Sequence, residues 1–186
     1  PWPKLFGGLT NNFSYKNFDL SILITGTYGN DIYNYMFRNI TNPNNINLSR
    51  NLPVAVSDYA KPITKDGKVQ LENPGTNIAR ISYGPNGNYA RITDKWVEDG
   101  SFIRLKNVSL SYNVPATLFG RQKIIQGIRA TLGVQNLYTI TKYKGYDPEV
   151  GAYVGRDASA SNQAIGLDFG RYPLTPLYTF NLNVNF

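Results

Sequence analysis

The sequence predicts an all-β chain: an antiparallel, up-and-down sheet of the kind that crosses a membrane as part of a β-barrel. The plainest of three supporting observations lies at the end of the chain. Tyr178, Phe180, Leu182, Val184 and Phe186 alternate with Thr179, Asn181, Asn183 and Asn185, which is period two and hence a strand with one apolar and one uncharged polar face. Four upstream segments share this alternation. Connections between them are short, long, short and long, which puts every long loop at the same end of the sheet.

The first strand covers about 4–15, with Leu9, Phe13 and Tyr15 opposite Gly8, Thr10, Asn12 and Ser14, and Asn11 as a local exception. Lys16-Asn17 is a turn of hairpin length. In the second strand, about 18–29, Phe18, Leu20, Ile22, Ile24, Gly26 and Tyr28 share one side. A tilted strand crosses a bilayer in about 9–11 residues, and this one is long enough. From 30 to 99 the periodicity is lost, among the turn signals Asn42-Pro43, Asn73-Pro74-Gly75 and Gly84-Pro85-Asn86-Gly87. So long a stretch without periodicity is functional or disordered as a rule, and its many aromatics argue against disorder.

The third strand covers about 101–114. Val108, Leu110 and Tyr112 define its apolar face, and unbroken alternation adds Phe102, Arg104 and Lys106 to that face, the two cations being tolerable there only near a headgroup. Pro115 ends it, and 116–126 is a short connector. Strand four, about 127–140, sets Ile128, Ala130, Leu132, Val134 and Tyr138 against Arg129, Thr131, Gly133, Gln135 and Thr139, with Asn136 and Leu137 breaking the rule. A second long loop occupies about 141–171, and strand five about 172–186. The aromatics Phe18, Tyr28, Tyr112, Tyr138, Tyr178 and Phe186 read as interfacial girdles, and Phe180, Leu182 and Val184 as lipid-facing.

Composition removes several chemistries. The 186 residues include no Cys and no His, so disulfides, Cys or His metal sites, a thiol nucleophile and a histidine base are excluded. The net charge of +7 is scattered rather than striped with stacking aromatics, and no nucleic-acid partner is expected. Mean hydropathy is -0.33, and no apolar run approaches the ~20 residues of a membrane helix. That speaks against helical spans only, because alternating strands average to neutral. A chain that opens Pro-Trp-Pro without Met or a signal peptide reads as a piece of a longer protein.

The segments Lys4-Leu-Phe-Gly-Gly-Leu, Tyr15-Lys-Asn-Phe-Asp-Leu and Tyr28-Gly-Asn-Asp-Ile-Tyr-Asn resemble the SusC/RagA-type TonB-dependent outer-membrane transporters. So do Val97-Glu-Asp-Gly-Ser-Phe-Ile-Arg-Leu-Lys-Asn-Val-Ser-Leu-Ser-Tyr, Gln135 through Glu149, and Phe169-Gly-Arg-Tyr-Pro with the final strand. The matches run in family order, and are weakest within 36–95. The resemblance implies the last ~5 strands of a plugged barrel of about 22 strands, with the plug and TonB box upstream and Phe186 as a terminal assembly signal. It further implies import of oligosaccharides or oligopeptides, powered through TonB, beneath a SusD-like surface lipoprotein, in the outer membrane of Bacteroidetes. Two other readings stand beside it: a TonB-dependent siderophore or cobalamin receptor, and a soluble β-sandwich carbohydrate-binding module.

The resemblance supplies no catalytic residue, and no enzyme, cofactor or metal is expected. Asp94, Glu98 and Asp99 offer carboxylates without the spacing of a known calcium loop. Asp147 and Glu149 flank Pro148 and read as a turn. Substrate contact is expected from loop aromatics, amides and cations: Tyr83, Asn86, Asn88, Tyr89 and Arg91 in the first loop, and Tyr153, Arg156 and Asp157 in the second.

Overall fold

The structure is a computed structural model, which describes residues 1–44, 51–81, 91–119, 124–150 and 165–186. Its contacts divide into two compact units. One comprises Pro1–Asp31, Asp99–Glu149 and Tyr172–Phe186, and the other Ile32–Glu98 and Val150–Arg171.

The first unit is a five-stranded antiparallel sheet. Its members are β1 (Leu5–Tyr15), β2 (Phe18–Tyr28), β7 (Phe102–Val114), β8 (Gly127–Thr141) and β9 (Leu177–Asn185), paired in chain order. The all-β, up-and-down expectation is borne out. At the β1–β2 turn Lys16 takes a left-handed φ of 51°, which a tight two-residue reversal demands. At that same end Asn113 N–H donates to Asn17 O, and Gln126 N–H to Asn185 O, both at 2.8 Å. The last strand starts at Leu177 rather than near 172, because Pro173 and Pro176 offer no N–H to a ladder.

Directly paired residues share a face, so the register can be followed across the sheet. Phe18, Tyr112, Ala130 and Leu182 form one row; Leu20, Leu110, Leu132 and Phe180 the next; Ile22, Val108, Val134 and Tyr178 a third. Beyond it come Ile24 with Leu105 and Tyr138, then Gly26 with Ile103 and Ile140. Opposite lie Asp19, Ser111, Thr131 and Asn181, then Ser21, Ser109, Gly133 and Thr179. The apolar face is bare among the described residues: Leu132, Tyr138, Tyr178, Phe180 and Leu182 are all more than half exposed.

Unbroken alternation fails at one point. Leu23 and Ile24 are neighbours on β2, yet they pair with Asn107 and Leu105, so Lys106 is an extra residue on β7. On β8 the same level is spanned by Asn136, at φ 52°, and Leu137. This bulge shifts the phase of β7 by one residue. Phe102 and Arg104 therefore leave the Val108 face on which strict alternation puts them. They pair with Thr27 and Thr25 and with Thr141 and Thr139, on the polar side.

The second unit consists of the two excursions away from the sheet. The first contains β3 (Asp31–Tyr33), which pairs with β6 (Val97–Asp99), α1 (Tyr35–Ile40), 3-10 turns at Val54–Asp58 and Asp94–Trp96, and the hairpin β4 (Pro62–Lys65) and β5 (Lys68–Leu71). Thus the described residues of the stretch that shows no overall periodicity form short elements. Asp66 and Gly67, at φ 52° and 71°, make the hairpin turn, and Asp-Gly is the sequence signal for it.

Gly26 packs where a Cβ would sit 2.8 Å from the Phe102 carbonyl oxygen, whereas a Cβ on its partner Gly7 meets nothing within 4 Å. Gly26→Ala is expected to destabilise the sheet by about 1–3 kcal/mol and Gly7→Ala to be neutral, measured by denaturant unfolding of the folded protein in lipid. Equal effects at both positions would contradict this packing.

Candidate functional site

The site candidates are the places where the chain leaves the sheet and returns to it. Sheet-end hydrogen bonding must be replaced there, because backbone groups cannot be left unpaired. The foot of the first excursion is closed by backbone amides, a serine hydroxyl and a carboxylate. Gly100 N–H donates to Asn30 O at 2.8 Å and Gly29 N–H to Ser101 Oγ at 2.9 Å. Ser101 in turn donates Oγ–H at 2.5 Å and N–H at 2.9 Å to Asp99 Oδ1. Those two bonds to the charged carboxylate, the hydroxyl's first, hold Asp99 below the usual carboxylate range.

The foot of the second excursion is ionic. Arg104 is 1% exposed and is the bulkiest of the fully buried side chains among the described residues. Its guanidinium donates in three directions: Nε–H to Thr139 Oγ1 at 2.8 Å, Nη1 to Glu149 Oε2 at 2.6 Å, and Nη2 to Asp147 Oδ1 at 2.5 Å. Its carbon centre also lies 5.3 Å from the Phe102 ring. Lys106, the bulge residue, reaches Glu149 Oε2 at 2.9 Å. Asp147 collects three donors, since Oδ1 also accepts Glu149 N–H and Oδ2 accepts Leu174 N–H, both at 2.9 Å. Burial alone would push the Asp147 carboxyl up. The N–H groups of Leu174 and Glu149 and the Arg104 guanidinium outweigh it and hold the carboxyl below its ordinary value.

Within the second unit the hub is Asn34, which is fully buried. Its N–H donates to Trp96 O at 2.8 Å, its Nδ2 to Glu98 Oε1 at 3.3 Å, and its Oδ1 caps α1 by accepting Phe37 N–H at 2.8 Å. On the other side of β3 the chain of the second excursion runs parallel: Tyr33 N–H donates to Gly166 O, Asp168 N–H to Tyr33 O and Met36 N–H to Asp168 O. Ile32, Asn34, Trp96 and Asp168 are all buried here. Ring contacts of Phe37 with Trp96 and of Tyr35 with Phe169 complete the packing.

Of the residues expected to touch substrate, Arg91 is described and is exposed. Tyr83, Asn86, Asn88, Tyr89, Tyr153, Arg156 and Asp157 lie outside the described residues. Among the described residues no group of three or more His, Cys, Asp or Glu could hold a metal ion. Sequence reading missed the Arg104 cluster for two reasons. Strict alternation put Arg104 on the wrong face, and Asp147-Pro148-Glu149 passed for a plain turn. A local signal did exist: the rule-breaking Asn136-Leu137 opposite a cation on an otherwise apolar face.

No family model matches the chain. TonB-dependent receptor P3 of Formosa agariphila is 33% identical over 186 residues, which is 100% of this chain and 17% of that protein. TonB-dependent receptor SusC of Bacteroides thetaiotaomicron is 26% identical over 179 residues, 96% of this chain and 15% of its own length. Among solved structures, the RagAB peptide importer in its open-open state superposes with a TM-score of 0.74 at 26% identity, over 100% of this chain and 17% of that one. The chain thus spans about a sixth of the length of the relatives it matches. A bare apolar face, a polar face and long excursions at one end define this sheet as part of the wall of a transmembrane β-barrel of the TonB-dependent receptor class. Within that class the chain belongs to the SusC/RagA-type transporters. TonB-dependent receptors are outer-membrane β-barrel proteins, and the matched relatives are receptors and transporters rather than enzymes.

The ionic foot carries a pH prediction. A carboxyl whose folded-state pKa is depressed stabilises the fold above its unfolded value, about 3.9 for Asp, and loses that contribution as pH falls through the folded value. Asp147→Asn is expected to lower stability by about 1–3 kcal/mol at neutral pH. The gap to wild type holds from pH 7 to about 5 and closes below about 4, as read by guanidinium unfolding in lipid at several pH values. A gap that widens on acidification would contradict the assignment.

Proposed function

We propose that this chain is part of an outer-membrane importer that takes up oligosaccharides or oligopeptides, driven through TonB and closed on the outside by a SusD-like lipoprotein. The observation that carries the reading is the division of the sheet. Its apolar face keeps aromatics near both ends, Tyr28 and Tyr138 towards the excursions and Phe18, Tyr112 and Phe186 towards the short turns. Such a face meets lipid, with aromatics at the headgroup levels. The polar face then lines the interior, and both excursions stand on the extracellular side, where Arg91 and the loop residues named above contact substrate or the lipoprotein. The names of the relatives support import: SusC is a TonB-dependent receptor and RagAB a peptide importer.

The β-sandwich alternative requires a second sheet packed on Tyr178, Phe180 and Leu182. These are 69%, 65% and 57% exposed, and among the described residues no sheet covers them. No observation in the structure favours a siderophore or cobalamin over an oligomeric nutrient.

If the apolar face meets lipid, Leu182→Arg destabilises the assembled barrel by about 2–4 kcal/mol at mid-depth, whereas Asn183→Ser on the opposite face inserts normally. Unaltered stability of the Leu182→Arg protein in lipid would remove the assignment. Uptake of labelled glycan and peptide pools by cells carrying the whole transporter tests the substrate class. Accumulation of one pool, abolished when TonB is deleted, is the expected outcome; uptake of neither pool, or uptake that persists without TonB, is the contrary one.

A further inference from the structure

Gly7 of β1 pairs with Gly26 of β2, and Ile103 of β7 lies beyond Gly26 in the same row of the apolar face. Glycine opposite glycine leaves a depression there. Its walls are Leu5 and Tyr28 on the side of the excursions, and Leu9 and Ile24 on the side of the short turns. The result is a groove of about 400 Å³ with an almost wholly apolar lining, the size of a small-molecule site. Levels nearer the short turns carry bulky side chains instead, as Phe13 with Leu20 and Leu110, or Tyr15 with Phe18 and Tyr112. We propose that the groove is a seat for one acyl chain of a membrane lipid, held with its headgroup at the level of Tyr28.

The groove opens on the apolar face of a transmembrane wall, and that face is bare among the described residues. The inference rests on the lipid-facing reading above and names what fills one place on that face. Water is unsuited to the groove, which offers almost no polar atom to hold it. Between a chain in bulk lipid and a chain in the groove there is no hydrophobic difference, so packing decides. A chain laid over a filled level touches protein on one side. One laid on Gly7 and Gly26 touches a floor and two walls, and an unfilled groove would forfeit those dispersion contacts. Tyr28 supplies the polar end. It is 64% exposed on the same face, where β2 gives way to the first excursion, the level at which a phenol hydroxyl meets lipid headgroups. The two glycines differ in what they tolerate. A Cβ on Gly26 would lie 2.8 Å from Phe102 O, whereas a Cβ on Gly7 meets nothing within 4 Å. A side chain at Gly7 therefore fills the groove without displacing the wall.

The test uses the whole transporter in vesicles of phosphatidylethanolamine, a small part of which carries a diazirine on one acyl chain. After irradiation, lipid adducts are mapped by peptide mass spectrometry in wild type and in Gly7→Leu. In wild type the yield per residue over 5–9 and 24–28 is expected to exceed that over 178–182 about fivefold, a preference of about 1 kcal/mol. Gly7→Leu is expected to bring the groove segments down to the level of 178–182 and to leave 178–182 unchanged. Adduct spread evenly over the apolar face, or unmoved by Gly7→Leu, means annular lipid only and overturns the proposal. Adduct at neither place would sink the lipid-facing reading itself, and the seat with it. Light scattering of the detergent-extracted particle checks the other occupant: if Gly7→Leu halves its mass, a second copy sits on the groove and the proposal falls. Should Gly7→Leu fail to assemble, Ile103→Trp, which narrows the groove from β7, is read in the same way.

Discussion

One extra residue on a strand decides how the two ends of this sheet differ. Towards the short turns, pairing mostly sets apolar against apolar, as Leu20 with Leu110 and Leu132 with Phe180, and polar against polar, as Asp19 with Ser111 and Thr131 with Asn181. At Lys106 the alternation of β7 slips by one. Beyond that level Ile103 and Leu105 take over the apolar face, and Phe102 and Arg104 turn to the other side. Without the slip the guanidinium would emerge on the apolar face, the face proposed above to meet lipid, where a charge is costly. With it, the same guanidinium is buried against two carboxylates and a threonine.

From this follows a contrast between the wall and what it carries. The wall is held by ladder hydrogen bonds, and apart from Phe102 the large apolar residues on its strands are exposed or half-buried in the chain alone. The excursions are held by polar atoms in specific geometry. Asp99 with Ser101, Arg104 with Asp147 and Glu149, and Asn34 with Trp96, Glu98 and Phe37 each satisfy backbone or charged groups that a chain leaving a sheet exposes. Short strands and 3-10 turns between these points need little apolar core of their own. Ile32, Val56, Trp96, Phe102 and Tyr143 are the buried apolar residues among those described.

The legible part of the sequence was the part governed by local period. Strands such as Tyr178–Phe186 and Phe18–Tyr28 declare their two faces residue by residue, and the order of short and long connections gives topology. The family resemblance, carried by motifs at strand ends, agrees with relatives that match 100% and 96% of the chain. What escaped reading depends on pairing at a distance. Arg104 and Asp147 are 43 residues apart, and Asn34 and Glu98 are 64 apart; nothing local to either member names the other. The bulge lies between these cases. It is a property of register, so β7 alone cannot show it, although Asn136-Leu137 on the neighbouring strand marks the level at which it falls.

The central claim, that β7 changes phase at Lys106 with lipid on one side and the barrel interior on the other, is open to one direct measurement. Single cysteines placed from Phe102 to Tyr112 in the whole transporter, spin-labelled and reconstituted in bilayers, report collision with oxygen from lipid and with a nickel chelate from water. The account predicts lipid-type collision at positions 103, 105, 108, 110 and 112 and water-type or shielded behaviour at 102, 104, 107, 109 and 111, with the break at 106. Unbroken period two from 102 to 112 would contradict it.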